Sequence, residues 1–200
     1  MEMQGKLFDD NRQLVLPREL MDYTPGFLER PEADTLLTFL LHNVPWQQTK
    51  VKMYNKEVVT PRLTAWYGDR PLRTDDRREP IPWLPELQVV RQRIEAFTGM
   101  AFQGVLLNLY RDGNDSVAWH ADKDTVPGRK TEIASLSLGA ERNFDFRRKD
   151  DHANRYSIKL QHGSLLLMKG DLQLHWEHRI AKSNAIMGPR INLTFRKVIL

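Results

Sequence analysis

Two histidines and one aspartate in the C-terminal half of the chain have the residue types and spacing of a metal site. His120 and Asp122 are two positions apart, so on a β-strand both side chains would project from one face and reach one ion. A distant histidine would complete a set of two imidazoles and one carboxylate, which leaves open coordination positions and is typical of non-haem Fe(II) oxygenases. His178 is our candidate for this third ligand, and His175 is its competitor, because spacing alone does not separate them.

Two arginines near the C-terminus suggest what else such a site would bind. Arg190 and Arg196 are an even number of positions apart, so on a strand both guanidinium groups face the same side. The residues between them alternate in polarity, with Asn192 and Thr194 on the arginine side and Ile191, Leu193 and Phe195 on the other. An arginine inside the fold needs an anionic partner, because an unpaired buried charge is costly. The far carboxylate of 2-oxoglutarate would meet that need, and a salt bridge to an internal aspartate or glutamate is the alternative.

The elements that must position these residues differ between the two halves of the chain. Residues 1–30 look irregular, and helical spacing of apolar residues predicts helices at about 32–41 and 84–98, the second ended by Gly99. In the second hundred residues short strand patterns predominate, separated by turn signals. They are expected at 102–110, 117–121, 133–138, 144–148, 156–160, 164–168 and 191–198. This order predicts an α+β fold in which N-terminal helices pack on one side of a double-sheet roll.

Composition limits the possible classes of protein. At 200 residues the chain is expected to form a single domain, 1–200, with about 1–100 as helical support and about 101–200 as the roll. The absence of cysteine excludes disulfides, thiolate nucleophiles and cysteine-based zinc sites. No apolar run approaches the ~20 residues that span a bilayer, and residues 1–10 lack the apolar core of a secretory signal. The net charge of +4 favours polyanionic partners.

Several motifs, in order along the chain, resemble the AlkB family of Fe(II)/2-oxoglutarate-dependent nucleic-acid demethylases. They are Pro61-Arg62-Leu63-Thr64-Ala65-Trp66-Tyr67-Gly68, Asn108-Leu109-Tyr110, His120-Ala121-Asp122-Lys123-Asp124, residues 134–140, His162-Gly163-Ser164-Leu165-Leu166, His178 and residues 189–196. Together they cover roughly residues 30–198, and such an ordered set is more specific than any single member. The resemblance implies a double-stranded β-helix (jelly roll), with a nucleotide-recognition lid within the first hundred residues.

The resemblance also implies roles for individual residues. It implies three iron ligands, namely His120, Asp122 and His178, and so favours His178 over His175. It places Arg190 on a carboxylate of 2-oxoglutarate, with a group of residues that help to hold this cosubstrate, namely Asn108, Tyr110 and Asn192. Arg196 matches a second arginine of the family that borders both cosubstrate and substrate. With Fe(II), 2-oxoglutarate and O2, such a site would oxidise the N-methyl group of a base, which then leaves as formaldehyde.

A base-binding region is implied as well. Asp124 resembles the acidic residue that contacts the exocyclic amino group, and a carboxylate in a dry pocket would favour a base that methylation has made cationic. Tyr54 lies in a segment that resembles a hairpin which, in duplex-acting relatives, wedges an apolar side chain into the base stack. Lys50, Lys52 and Lys56 lie beside it and would suit phosphates. Arg142 is expected near the pocket rim. Trp66 and Tyr67 are candidates for stacking, with a plain core position as the alternative for both.

One departure from the family pattern concerns how a base would be held. Relatives follow Trp-Tyr-Gly with a pair of aromatic residues, whereas this chain has Leu72-Arg73-Thr74-Asp75-Asp76 and no aromatic residue until Trp83. Either Trp66, Tyr67 or the His120 ring stacks on the base, or this loop lies differently.

The expected function is therefore oxidative demethylation of N-alkylated bases of the 1-methyladenine and 3-methylcytosine type, in DNA and as a further target in RNA. We expect a monomer that binds nucleic acid and no membrane, in the cytoplasm of a bacterium or the nucleus of a eukaryote. Two alternatives are a 2-oxoglutarate oxygenase acting on a protein or small molecule, and a non-catalytic nucleic-acid binder. Asp124 and the basic hairpin argue against the first, and the intact ligand set argues against the second.

Overall fold

The structure, a computed structural model, describes residues 19–53, 56–69, 71, 79–122 and 132–197. Its elements, in chain order, are β1 (Met21–Thr24), α1 (Arg30–Asn43), β2 (Gln47–Met53), β3 (Lys56–Gly68), α2 (Pro85–Thr98), β4 (Gly104–Tyr110), β5 (Val117–His120), β6 (Ile133–Gly139), β7 (Arg142–Arg148), β8 (Arg155–Leu160), β9 (Ser164–Met168), α3 (Gly170–His175), β10 (Trp176–Ile180) and β11 (Arg190–Arg196). Within these residues, no helix is long and apolar enough to cross a membrane.

Both predicted long helices are present, and their ends follow from local sequence. Each begins with a proline in its first turn, where the missing N–H costs nothing. Helix α2 ends at Gly99, whose φ of 70° lies in the left-handed region that glycine adopts without strain. The apolar faces of both helices pack on one face of the larger sheet and form the main hydrophobic core with it. This arrangement confirms the prediction of helices on one side of the strands.

The larger sheet has seven strands in the order β1-β9-β6-β11-β4-β3-β2, all antiparallel. Strand β11 lies at its centre and pairs with β4 and β6 along its whole length. Ile191, Leu193 and Phe195 are fully buried in the core beneath the helices, as their alternation predicts. The opposite face of β11 therefore presents the polar residues to the interior of the roll.

The smaller sheet has four strands in the order β5-β10-β7-β8 and completes the double-sheet roll. A second apolar cluster lies between the sheets and includes Phe144, Phe146 and Trp176 of the smaller sheet and Leu166 of the larger one. His120 and His178 face each other across the β5–β10 pair. The site residues of the two sheets thus meet inside the roll.

The sequence indicates extended structure at about 49–59 and 61–67, which the structure confirms as β2 and β3, but it does not indicate β1, α3 or β10. The first hundred residues contribute more than helical support, because β1, β2 and β3 all belong to the larger sheet. Strand β1 lies in a stretch expected to be irregular, and it pairs with β9 from far along the chain, a partner that no local pattern reveals. Helix α3 and strand β10 were also not predicted, although β10 carries His178.

Candidate metal and cosubstrate site

Three side chains converge on a point between the two sheets. His120 ends β5, Asp122 follows two residues later, and His178 lies at the middle of β10. Their potential ligand atoms all lie within 4.8 Å of one another. The structure brings His178 to this cluster, while His175 is exposed at the end of α3. The unresolved choice between the two histidines is therefore decided by the fold.

The two imidazole rings are oriented by different contacts. His120 Nδ1 lies 2.8 Å from the carbonyl oxygen of Ala118 and donates to it, so Nε2 is the ring nitrogen left to face an ion. Phe144 stacks on the His178 ring, with centroids 4.9 Å apart and planes 28° apart. The centroids of the two imidazoles are 4.3 Å apart. Each ring is thus held by a neighbour that leaves an imidazole nitrogen available for an ion.

Burial and charge set the protonation of the cluster. Burial lowers the pKa of His178 to about 3, so its ring is neutral near pH 7 and can act as a ligand. Burial alone would raise the pKa of Asp122, but the charge of Arg196 and the two neighbouring histidines outweigh it and lower that pKa. Arg196 Nη2 donates to Asp122 Oδ1 at 2.6 Å. The set therefore offers a carboxylate and neutral imidazole at neutral pH, the forms that bind divalent metals.

A second part of the site surrounds Arg190, at the start of β11, whereas Arg196 beside the metal cluster lies at the end of the same strand. The Arg190 guanidinium is 2% exposed and donates to Ser137 Oγ at 2.9 Å. Its centre lies 5.2 Å from the centroid of the Tyr110 ring, and the buried Arg142 guanidinium lies 5.8 Å from the same ring. Burial lowers the pKa of Arg190 to about 10, which still leaves it charged at neutral pH. Two buried cations on one ring make this end of the cavity strongly positive.

The wall between the two parts is a row of polar residues on the inner face of the larger sheet. Asn192 Nδ2 donates to Ser135 Oγ at 2.7 Å, and its Oδ1 accepts from the Thr194 hydroxyl at 2.9 Å. Asn108 lies directly across from Asn192 on β4, and its Oδ1 accepts from Arg62 Nε at 2.8 Å. The predicted cosubstrate residues are therefore held in one hydrogen-bonded surface.

One cavity joins these groups. It has about 480 Å³ of empty space including its open mouth. Its lining includes every predicted metal and cosubstrate residue, namely His120, Asp122, His178, Asn108, Tyr110, Arg190, Asn192 and Arg196. The sequence-based selection of these residues thus agrees with their placement around one space.

The buried polar atoms of this cavity test whether a metal and a dicarboxylate fit it. Within the described residues, Arg190 Nε and Nη1 are buried without a hydrogen-bond partner, and so is Arg196 Nε. Among the described residues, no aspartate or glutamate forms a salt bridge with Arg190, whereas Arg196 pairs with Asp122 and so has the internal ion pair that was the alternative. A buried cation with unmet donors is costly until an anion arrives. The donor set and the orphaned guanidinium together fit Fe(II) and 2-oxoglutarate.

The predicted substrate residues have mixed outcomes. Trp66 lies on the same face of β3 as Arg62, with its ring against Gly104, where any added Cβ would collide with the indole, but it is not among the residues that line the cavity. Tyr67 faces the helices and is 1% exposed in the hydrophobic core, so the prediction that it stacks on a base is wrong. Burial raises the pKa of its hydroxyl. Successive strand residues point to opposite faces, so only one of this pair could face the cavity.

Arg142 also differs from its prediction. It is 4% exposed, and its guanidinium donates to the carbonyl oxygens of Asp112, Asp115 and Ala181. These bonds connect the loop before β5 to the loop after β10. Arg142 is a buried structural cross-link, and it does not belong to the lining of the cavity. The sequence shows that Arg142 is charged, but it does not show that three carbonyl oxygens accept hydrogen bonds from its guanidinium.

Two predicted substrate residues, Tyr54 and Asp124, lie outside the described residues, as does the segment 72–78. Sequence reasoning missed four residues that the fold brings to the site: Arg62, Ser137, Phe144 and Gln173. The sequence could have indicated Arg62, because it lies four positions before Trp66 on one strand and its side chain therefore projects from the same face. No local pattern indicates Phe144 or Gln173, because their contacts depend on β7 and α3 meeting β5 and β10.

Comparisons with known proteins agree with this geometry. A family model described as the 2OG-Fe(II) oxygenase superfamily matches residues 21–196. Alpha-ketoglutarate-dependent dioxygenase alkB homolog 3 of Homo sapiens is 44% identical over 185 residues, which cover 87% of this chain and 64% of that protein. DNA oxidative demethylase ALKBH2 of Mus musculus is 37% identical over 191 residues, which cover 89% of this chain and 80% of that protein. The chain thus spans about 64% of the length of the first of these relatives.

Solved structures show the same fold. OsALKBH1 superposes with a TM-score of 0.62 at 17% identity and covers 88% of this chain and 96% of that chain. A prolyl hydroxylase of Trichoplax adhaerens, in complex with a fragment of hypoxia inducible factor, gives a TM-score of 0.60 at 11% identity, over 88% of this chain and 83% of that chain. These likenesses confirm the predicted jelly roll.

Proposed function

We propose, because this chain belongs to the 2OG-Fe(II) oxygenase superfamily and within it to the AlkB family, that it is an oxidative demethylase of N-alkylated bases in nucleic acid. The superfamily fixes the class of chemistry through its metal and cosubstrate. The AlkB relatives, of which one is called a DNA oxidative demethylase, suggest the substrate.

One observation carries the enzymatic part of this proposal. Arg190 is a fully buried guanidinium with two unpartnered nitrogens, and it lies in the same cavity as a cluster of two histidines and one carboxylate. A protein that only bound nucleic acid would gain nothing from burying a cation without an anion, because that arrangement costs stability. A site that awaits a dicarboxylate and a metal accounts for both features.

The residues of the chain have distinct tasks in this proposal. Iron bound by His120, Asp122 and His178 would supply, with 2-oxoglutarate and O2, the oxidation of the substrate methyl group. Arg190 and Ser137 would bind the far carboxylate of the cosubstrate and so fix its direction. Asn108, Tyr110 and Asn192 would shape the channel between Arg190 and the metal. The hydroxymethyl product then loses formaldehyde, which restores the N–H or the neutral ring nitrogen of the base.

The substrate part of the proposal rests on the open end of the cavity and on charge. Trp66 lies on the same face of β3 as the cavity-lining Arg62 and packs on Gly104, which is paired with Arg196, so a base at the cavity mouth could stack on its indole. The net charge of +4 favours a polyanion. Asp124 and Tyr54 remain predictions for base contact. On this proposal the protein acts as a monomer in the cytoplasm of a bacterium or the nucleus of a eukaryote.

A mass-spectrometric assay tests the proposal. Purified protein with Fe(II), ascorbate and 2-oxoglutarate is incubated with oligonucleotides that carry 1-methyladenine, 3-methylcytosine or ethenoadenine, in single- and double-stranded DNA and in RNA. We expect loss of the alkyl group from at least one methylated base, with one succinate released per repaired base. Asp122→Ala is the matched inactive control.

Two results would contradict the proposal in different ways. Succinate release without repair of any oligonucleotide would point to a protein or small-molecule substrate. Nucleic-acid binding with neither metal binding nor succinate release would point to a non-catalytic binder.

A further inference from the structure

Asp122 lies where the ladder of strand hydrogen bonds has ended. Strand β5 stops at His120, and its only described partner is β10, with a break in register after His178. The backbone N–H of Asp122 therefore has no strand to donate to. It donates instead to Oε1 of Gln173 at 2.8 Å. Since an N–H can only donate, this contact also fixes which end of the Gln173 amide faces Asp122.

Gln173 is held firmly enough to fix its neighbour. Its side chain is 6% exposed, and its Nε2 lies 3.7 Å from Met168 Sδ. It belongs to the one-turn helix α3, whose last carbonyls are bound from outside the helix. Lys149 Nζ donates to the carbonyl oxygens of Gln173 and Leu174, each at 2.9 Å. The amide that meets Asp122 is thus attached to an anchored turn and not to a mobile surface.

Two opposing contacts act on Asp122. Arg196 bonds its Oδ1 at 2.6 Å, from the larger sheet. Its other oxygen, Oδ2, lies 3.7 Å from His178 Nε2 and is the oxygen closer to that ring nitrogen. If the main chain at Asp122 were free, the arginine could draw the carboxylate away from the histidines. The bond from the Asp122 N–H to Gln173 Oε1 is a contact that restrains the main chain there.

We propose that Gln173 is a positioning residue for the metal site, which holds the Asp122 carboxylate in reach of both histidines through the Asp122 backbone. This inference rests on the proposed ligand set His120, Asp122 and His178. Partners that orient metal ligands typically change metal affinity by 10–100-fold when they are removed. Gln173 itself touches neither substrate nor metal.

Titration calorimetry with Ni(II) on the full chain tests the proposal without requiring turnover. Gln173→Leu keeps the approximate size of the side chain and removes the acceptor, and we expect it to weaken Ni(II) binding by roughly 10–100-fold. Gln173→Glu keeps an oxygen for the Asp122 N–H, and we expect it to restore most of the affinity. Thr98→Val is the matched control, because it removes a side-chain acceptor from a backbone N–H at the end of α2, that of Met100.

A second measurement distinguishes positioning from general loss of structure. The visible absorption of bound Co(II) reports the ligand geometry, and we expect Gln173→Leu to change its band shape while Thr98→Val leaves it unchanged. Wild-type Ni(II) affinity in Gln173→Leu, or equal weakening in Gln173→Leu and Gln173→Glu, would overturn the proposal.

Asp122→Ala separates this inference from the ligand assignment on which it rests. If Asp122→Ala abolishes Ni(II) binding and Gln173→Leu does not weaken it, only the positioning role fails. If Asp122→Ala itself binds Ni(II) as the wild type does, the ligand set fails.

Discussion

The two walls of the cavity are built in opposite ways. The cosubstrate wall, which carries Arg190 and Asn192, is the central strand β11, and this strand pairs on both sides along its whole length. The metal wall carries His120, Asp122 and His178. His120 ends the four-residue edge strand β5, Asp122 lies beyond that end, and His178 lies on the neighbouring strand β10. Backbone pairing holds the first wall and, on the second, holds His178 in β10. Asp122 depends instead on the contacts from Gln173 and Arg196.

The electrostatics of the two walls are also opposite. Arg190 is buried with donors that no described residue meets, so it gains when an anion binds. Asp122 already has a cation partner in Arg196, so a metal must compete with or share an existing ion pair. The difference teaches that the cosubstrate wall is held by backbone pairing but has unmet donors on Arg190, whereas on the metal wall Asp122 has an ionic partner but lies beyond the strand hydrogen bonds.

The largest effect is expected from breaking the metal wall at Asp122. Asp122→Ala removes the one carboxylate of the cluster and leaves the partly buried Arg196 without its partner. We expect Ni(II) binding to fall below detection and Fe(II)-dependent turnover to be lost. Calorimetry and the succinate assay measure both. Retained turnover would remove the proposed metal site.

Breaking the cosubstrate wall should give a smaller loss of binding together with an unusual effect on stability. Arg190→Met removes a charged contact worth ~1.5–3 kcal/mol, so the 2-oxoglutarate concentration for half-maximal rate should rise by about 10–100-fold. The protein without ligand should unfold at the same or a higher temperature, because a buried cation with unmet donors is gone.

Arg142→Met is the matched control for that prediction. Arg142 is as buried as Arg190, but its guanidinium already has three carbonyl partners. We expect this change to destabilise the fold by roughly 3 kcal/mol and to raise the 2-oxoglutarate requirement far less than Arg190→Met does. A large loss of stability in Arg190→Met would show that the Arg190 guanidinium has structural partners beyond Ser137.

In the protein without metal, the free energy of unfolding should depend on pH because His178 of the metal wall is buried. Burial lowers the pKa of His178 from the usual 6.5 to about 3, so between these values the unfolded chain binds a proton that the folded chain does not. Stability therefore falls as pH falls through this window, by up to about 1.4 kcal/mol per pH unit. The contribution of Asp122, whose pKa is lowered, is lost only below its unfolded value near 3.8.

Urea unfolding between pH 6.5 and 4.5 isolates the histidine contribution, and His178→Phe should show a shallower decline because a phenyl ring cannot titrate. Equal slopes for the two proteins would mean that His178 is not held neutral by burial.

The smallest effect is expected at the outer face of the metal wall. Trp119 lies between the guanidinium groups of Arg147 and Arg179, at 4.1 and 4.5 Å from its ring. Each contact is worth ~0.5–1 kcal/mol at an accessible site. Trp119→Ala should therefore weaken Ni(II) binding by less than tenfold and speed amide exchange in β5, with β11 unchanged.

Trp83→Ala, which removes a similar stack under Arg91 beside α2, is the control. It should lower stability without changing exchange in β5. Equal acceleration of exchange in β5 and β11 would contradict the difference in support between the walls.

The sequence by itself determined which residues carry the chemistry and which way several of them face. The alternation from Arg190 to Arg196 placed the arginines inside the roll and Ile191, Leu193 and Phe195 in the core, because a strand has a period of two residues. The spacing of His120 and Asp122 and the ends of both long helices are equally local.

Only the tertiary structure decided contacts between segments far apart in the chain. It brought His178, and not His175, to the metal cluster, and it brought Arg62 and Gln173 to the site. It also buried Tyr67 in the core and paired Arg142 with three carbonyl oxygens. The physical reason is that periodicity fixes the direction of a side chain within its own element. Its partner depends on which elements become neighbours, and that is set by packing of the whole chain.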